Sequence, residues 1–267
     1  MPCVICDQEH WQSIYSDLVK CRNCGFIRAD NKYYNIDSTK LYDPSYFSGV
    51  DYENYALEIT ALQKNFKDRL NKIIRHKSHG HLLEIGCAFG YFLQIASKNF
   101  KTYGLDLNHQ ITKLAKKNSP NSQIFTGDLT KIRFKKEFFD VICMFDTIEH
   151  LKNPGAYLTK VYALLKPGGI IVIETGDIGS WLARIQGDKW RLITPPTHLN
   201  YFSGVTLDRI LVKNKFRIIE KSYVPFYRTM RQTIFRITRI DIPSWFSKLI
   251  FSVNTYDLLF VIARKQR

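Results

Sequence analysis

Long apolar runs are missing from this 267-residue sequence: the longest, Leu258 to Ala263, holds six residues. A membrane-spanning helix needs about 20, so none is expected. The first residues, Met-Pro-Cys-Val-Ile-Cys, carry neither a basic stretch nor an apolar core, so no secretory signal is expected and a cytoplasmic location is. No internal repeat or low-complexity tract is present. Acidic side chains are scarce, 24 against 39 basic ones, for a net charge of +15. Disorder is excluded as the main state, because 45% of residues are hydrophobic and 14% aromatic, enough for a sizeable core. That length suits one ordinary domain with a small appendage, or two modest domains.

The charge is uneven. Residues 1–75 are neutral overall, residues 76–208 carry +5, and the last 59 carry +10. A basic C-terminal stretch of this kind can meet nucleic acid, an anionic membrane surface or a phosphorylated substrate, or can simply be a solvated face.

Six cysteines fall into two groups. Cys3, Cys6, Cys21 and Cys24 read as two C-x2-C pairs separated by fourteen residues. Each pair can place two thiolates on one tight turn, and four sulfurs together close a tetrahedron around zinc. Gly25, after the last of them, permits the positive φ of a metal knuckle. Iron in the same cage and a pair of reactive dithiols are the other readings. Such a site is structural, since four protein ligands leave no open position. Cys87 and Cys143 lie in apolar segments and are expected to pack.

Residues 1–32 are therefore a metal-binding knuckle module. Residues 33–55 form a tyrosine-rich lid or linker with Tyr33, Tyr34, Tyr42, Tyr46, Phe47, Tyr52 and Tyr55. Residues 56–267 form the main domain. Ile59, Leu62, Phe66, Leu70 and Ile73 recur at helical spacing. Strands are then expected at His81–Ile85, Thr102–Leu107, Gln123–Thr126, Phe139–Phe145 and Gly169–Thr175, with helices between. This alternation means a parallel sheet covered on both faces. Phe216–Tyr223 and Asp257–Arg264 read as an antiparallel pair at one edge. Between them lies a basic, aromatic insertion at about residues 228–251, with Arg228, Arg231, Arg236, Arg239 and Lys248.

The chemistry centres on His81-Leu-Leu-Glu-Ile-Gly-Cys-Ala-Phe-Gly90. Gly86 and Gly90 let the backbone approach a ligand, and Asp106, twenty residues past Gly86, ends the next strand where a carboxylate takes ribose hydroxyls. That describes a nucleoside-containing cofactor at the switch point of an open sheet. Three features turn the choice away from NAD. Ala88 replaces the glycine that a pyrophosphate needs, Asp128 ends the third strand as a second acid, and Leu165-Lys-Pro-Gly-Gly169 introduces the fifth.

Together these motifs resemble the class I S-adenosylmethionine-dependent methyltransferases over roughly residues 56–264. Ile148-Glu-His-Leu-x-Asn-Pro154 and Pro196-Thr-His-Leu-Asn-Tyr-Phe-Ser203 look like a bacterial subgroup of quinone, sugar and natural-product enzymes. The four-cysteine front resembles that of sugar C-methyltransferases, which also carry a further C-terminal domain. The resemblance implies a Rossmann-like α/β fold with a seven-stranded, mostly parallel sheet and an antiparallel last strand. It implies that Glu84, Gly86, Ala88 and Gly90 line the methionine half of the cofactor. Asp106 and Leu107 would hold ribose and the adenine edge, Asp128 and Leu129 the adenine, and Phe145 would pack near the sulfonium.

A hydroxyl acceptor needs a base, and a neutral histidine is the usual one near pH 7. His198 is the first candidate and His150 the second, both beyond strand ends where ligands of such sheets lie. Trp181, Trp190, Tyr201 and Phe202, with Tyr42 and Tyr46, are candidate walls of an acceptor pocket. The expected acceptor is a small molecule or sugar; the arginines of the insertion suit a phosphorylated carrier, and a lipid-linked one would suit a basic amphipathic surface. Ribosomal RNA is the alternative acceptor. Against it, the cysteine module is neutral overall, and the fourth strand ends in Phe145-Asp-Thr-Ile, not in the Pro-Pro-aromatic loop of base-amine methylation.

Overall fold

The computed structural model of the chain describes residues 1–36, 55–238 and 243–266. Tyr42, Tyr46, Phe47, Tyr52 and Arg239, and the side chains of Tyr55 and Arg236, lie outside the described residues.

Seven strands build the central sheet. In chain order they are β4 (Gly80–Ile85), β5 (Phe100–Asp106), β6 (Gln123–Thr126), β7 (Phe139–Phe145), β8 (Leu165–Gly176), β10 (Phe216–Tyr223) and β13 (Leu258–Lys265). Their spatial order is β10-β13-β8-β7-β4-β5-β6. Strands β6, β5, β4, β7 and β8 run parallel. The last strand, β13, slots antiparallel between β8 and β10. The late pair thus sits at the sheet's edge as expected, with β10 outermost.

The parallel strands read as continuous apolar runs because both faces are covered. Alternation sorts their side chains: Leu83, Ile142, Ile171 and Ile173 enter one core and Leu82, Val141, Ile170 and Val172 the other. The first core is closed by α4 (Pro154–Leu164) and α6 (Gly204–Lys213). The second is closed by α1 (Tyr55–Ile74), α2 (Tyr91–Ala96) and α3 (His109–Asn118). Cys87 and Cys143 are buried in that second core, where burial pushes both thiols well up. They pack, as the sequence predicts.

The helices start where the sequence supplies caps. Asn108 accepts from the amides of Gln110 and Ile111, Asn153 from that of Ala156, and Ser203 with Thr206 closes a capping box.

The cysteine segment folds as β1 (Trp11–Tyr15), β2 (Leu18–Cys21) and β3 (Ile27–Ala29). Its antiparallel sheet is completed by β9 (Asn200–Tyr201), which belongs to the main domain. Phe26 is fully buried against Phe202 with ring centroids 5.2 Å apart. Arg209 of α6 donates to the Cys24 carbonyl at 3.0 Å, and Lys213 pairs with Asp7 at 2.8 Å. The cysteine segment shares the first core with the sheet.

Candidate active site

The turn after β4 is held open by backbone geometry. Gly86, Ala88 and Gly90 all adopt positive φ, of 76°, 41° and 75°. A Cβ on Gly86 would lie 2.5 Å from Oγ1 of Thr147, so only glycine lets the tips of β4 and β7 meet there. Thr147 itself bridges them, donating toward the carbonyls of Ile85 and Phe145 at 3.1 and 2.9 Å.

Asp106, at the end of β5, accepts from the Ala88 amide at 3.0 Å and from the Asn108 amide at 3.0 Å. Its carboxylate therefore fixes the glycine turn and keeps further lone pairs for a ligand. Burial raises its pKa. Burial, then the charge of Asp106, pushes Glu84 well above the usual carboxylate range. Glu84 Oε2 is buried with no hydrogen-bond partner among the described residues. Such an orphan oxygen is costly and suits a cationic ligand group.

Asp128 accepts from the Thr130 amide and hydroxyl, at 2.7 and 2.5 Å, and from the Tyr157 hydroxyl. Its first role is thus to shape the turn after β6. Against partial burial, these bonds hold its pKa low. Leu107 is exposed at the tip of β5, whereas the Leu129 side chain is fully buried, so Leu129 has only its backbone to offer. Phe145 packs edge-on against Phe92 at 4.8 Å and near Phe66 at 6.4 Å.

The two histidine motifs, far apart in sequence, are one unit. Asn200 donates from Nδ2 to the carbonyls of Leu151, Glu149 and Ile148 at 2.7, 3.3 and 3.4 Å. The Leu199 amide donates to the Glu149 carbonyl at 2.8 Å. His150 Nδ1 meets the Thr197 carbonyl at 2.8 Å, and His198 Nδ1 meets the Leu192 carbonyl at 2.8 Å. The two rings stand edge to face with centroids 4.7 Å apart. Ligand atoms of Glu149, His150 and His198 all lie within 4.8 Å of one another. Burial, then the neighbouring His198, lowers His150 to about 3; burial also lowers His198. Burial thus favours the neutral form of both imidazoles. His150 is gripped from two sides, by the Thr197 and Asp146 backbones.

Sequence reasoning missed three acids here. Asp146, directly after β7, has φ of 45° and is exposed to solvent. Burial and then Glu174 raise it to about 7, while Arg69 and Arg191 pull the other way. Glu149 is driven well up by burial and then by Asp146, and its Oε2 has no hydrogen-bond partner among the described residues. Glu174 is held by a buried two-point pair with Arg69, at 2.8 and 3.2 Å. The available signal was position: Asp146 and Glu149 flank the tip of the strand that carries Phe145.

The aromatic pocket walls are not all walls. Trp190, Tyr201 and Phe202 are buried in the core, whereas Trp181 faces solvent. Tyr201 and Phe202 are needed inside because β9 joins the cysteine sheet to the main domain.

At the other end of that sheet, Cys3 and Cys24 have Sγ atoms 3.5 Å apart, as do Cys6 and Cys21. All four sulfurs lie within 4.8 Å of one another, and none of the cysteines forms a disulfide. A tetrahedral ion bound at about 2.3 Å puts sulfurs about 3.8 Å apart, so the four can hold a cation.

A family profile described as "Methyltransferase domain" matches residues 59–221. The chain is 28% identical over 162 residues to a dTDP-3-amino-3,4,6-trideoxy-alpha-D-glucopyranose N,N-dimethyltransferase of Streptomyces venezuelae, covering 59% of this chain and 63% of that one. A dTDP-3-amino-3,6-dideoxy-alpha-D-glucopyranose N,N-dimethyltransferase of Streptomyces fradiae is 27% identical, over 53% of this chain and 54% of its own length. The matches thus span somewhat over half the length of these relatives. The crystal structure of a SAM-dependent methyltransferase from Archaeoglobus fulgidus aligns with TM-score 0.55 and 21% identity, covering 76% of this chain and 94% of that one. The chain belongs to the methyltransferase-domain family and has the class I S-adenosylmethionine-dependent methyltransferase fold.

Proposed function

We propose that the protein transfers a methyl group from S-adenosylmethionine to a sugar or related small-molecule acceptor, with His198 as the base. The observation that carries this reading is the Glu84–Asp106 pair across the glycine turn. Asp106 has one oxygen tied to the Ala88 amide of the turn and the other to the Asn108 amide, and Glu84 has a buried oxygen without a hydrogen-bond partner among the described residues. A ligand that brings hydroxyls and a cationic group together suits that pair, and S-adenosylmethionine has both. In this reading Gly86, Ala88 and Gly90 line its methionine half, Leu107 and Asp128 its adenine side, the Leu129 backbone the base edge, and Phe145 the sulfonium.

The cofactor supplies an activated methyl for in-line displacement. What remains for the chain is to align the acceptor and remove its proton. In this reading His198, with Nδ1 fixed on the Leu192 carbonyl, uses Nε2 as the proton acceptor. An acceptor hydroxyl would lose its proton there, and an amine, the class printed in the names of both relatives, has the same need. We infer that the four cysteines hold a structural zinc ion, which their sulfur-only donor set and spacing favour.

The test is transfer of labelled methyl to nucleotide sugars, small hydroxyl and amine acceptors, and RNA. Transfer to a sugar, abolished in His198→Ala with cofactor binding intact, supports the reading. Transfer to RNA alone, or full turnover by His198→Ala, overturns it.

A further inference from the structure

Six large apolar side chains, Trp181, Ile185, Tyr223, Trp245, Leu249 and Tyr256, are between 39% and 73% exposed. Four of them adjoin strand ends at one edge of the sheet, and Trp245 and Leu249 lie on the insertion that departs from that edge. Trp181 and Ile185 lie on α5 (Trp181–Gln186), just after β8 ends. Tyr223 ends β10, and Tyr256 precedes β13. Trp245 and Leu249 belong to the insertion between those strands. Since Tyr223 pairs with Leu259 and Leu258 with Gly176, the insertion departs and returns on the carboxyl edge of the sheet. Asp146 and His150 follow the end of β7 on that same edge.

The insertion is built rather than loose. Strands β11 (Phe226–Thr229) and β12 (Ile250–Val253) form a hairpin around α7 (Met230–Thr238). Asn65 of α1 clamps it with two bonds to the Tyr227 backbone, at 2.7 and 3.3 Å. The Arg191 guanidinium, 5.7 Å from the Phe226 ring, joins the segment after α5 to it. Tyr223 and Tyr256 touch at 6.2 Å, and Trp245 stacks on Phe246 at 3.7 Å. Arg184, Lys189 and Lys248 are exposed on these same segments, with Asp188 as an exposed acid beside them.

We propose that this carboxyl edge docks on an anionic phospholipid bilayer. Solvent-facing tryptophan and tyrosine favour the headgroup layer, and lysine and arginine beside them favour anionic lipid. A nucleic acid would use the basic side chains but not exposed Ile185 and Leu249. Among the described residues no helix is long and apolar enough to cross a membrane, so the contact is with the surface and reversible. Asp146 and His150 then lie on the side of the headgroup layer, which suits an acceptor carried on a lipid; this consequence rests on the proposed methyl transfer, whereas the docking surface does not.

The whole chain should sediment with vesicles of phosphatidylcholine and phosphatidylglycerol, not with phosphatidylcholine alone, and salt should weaken the binding. Tryptophan emission should shift to the blue on binding. The exposed pair Trp245→Ala/Leu249→Ala should weaken vesicle binding about tenfold and leave cofactor binding by calorimetry unchanged. Arg184→Glu/Lys248→Glu should do likewise. Equal binding by these variants, binding indifferent to lipid charge, or binding to RNA alone overturns the proposal. Vesicle binding without cofactor binding would sink the methyltransferase reading and leave the surface standing; the reverse sinks the surface alone.

Discussion

His150 and His198 meet edge to face, 4.7 Å between ring centroids, each with Nδ1 on a backbone carbonyl. Because burial lowers both, the base should remain neutral below the ordinary histidine range. The acid limb of kcat/KM is therefore expected below pH 6.5, the unperturbed histidine value. A limb near pH 7 would point to Asp146, which is raised to about 7. His198→Ala should lower kcat by about 100-fold or more.

Asp146 is held above its ordinary value of 3.8, at about 7. A raised carboxyl binds its proton more tightly folded than unfolded, so stability is lost as pH rises through that interval. Asp146→Asn should therefore melt higher than wild type at pH 8, with the gap closing toward pH 4. Thermal unfolding at several pH values checks this, and a gap that widens on acidification would contradict it.

Arg69 and Glu174 form a two-point pair whose side chains are almost wholly buried. Arg69 also donates to the Pro225 carbonyl at 2.8 Å, where the insertion begins. Arg69→Met strands a buried carboxylate and should cost about 3–5 kcal/mol. Adding Glu174→Gln should restore much of that loss, measured by denaturant unfolding.

The cysteine cluster reaches the cleft through one strand pairing. Arg28 pairs with Asn200, and the Ala29 amide donates to the Leu199 carbonyl at 2.9 Å. With zinc at the four cysteines as proposed, its removal should lower the melting temperature and speed hydrogen exchange at Ala29 and Leu199 together. Asn200→Ala, which removes the 2.7 Å donor to the Leu151 carbonyl, should cost about 1–3 kcal/mol and reduce kcat more than it raises the cofactor Kd. Unchanged exchange after metal removal would separate the cluster from the cleft.

Much of the sheet was legible because strands buried on both faces are continuous apolar runs, as in Phe139–Phe145 and Gly80–Ile85. The glycine turn was legible because Gly86 and Gly90 satisfy a local backbone demand. The two-residue strand Asn200–Tyr201 was not, since its partner Ile27–Arg28 lies far away in sequence and no local pattern marks it. That blindness also made Tyr201 and Phe202 resemble pocket walls, though they seal the joint between the two sheets. Asp146, Glu149 and Glu174 escaped notice for a related reason. Each is an ordinary loop or strand-end acid until the fold sets them side by side.

The most direct test of the cofactor site is calorimetric titration of S-adenosylmethionine into the wild-type chain and into Asp106→Ala. One site per chain is expected, with affinity at least about tenfold weaker in the variant, as for loss of a charged hydrogen-bonding group. Absence of binding to the wild type, or equal affinity in the variant, would contradict the account.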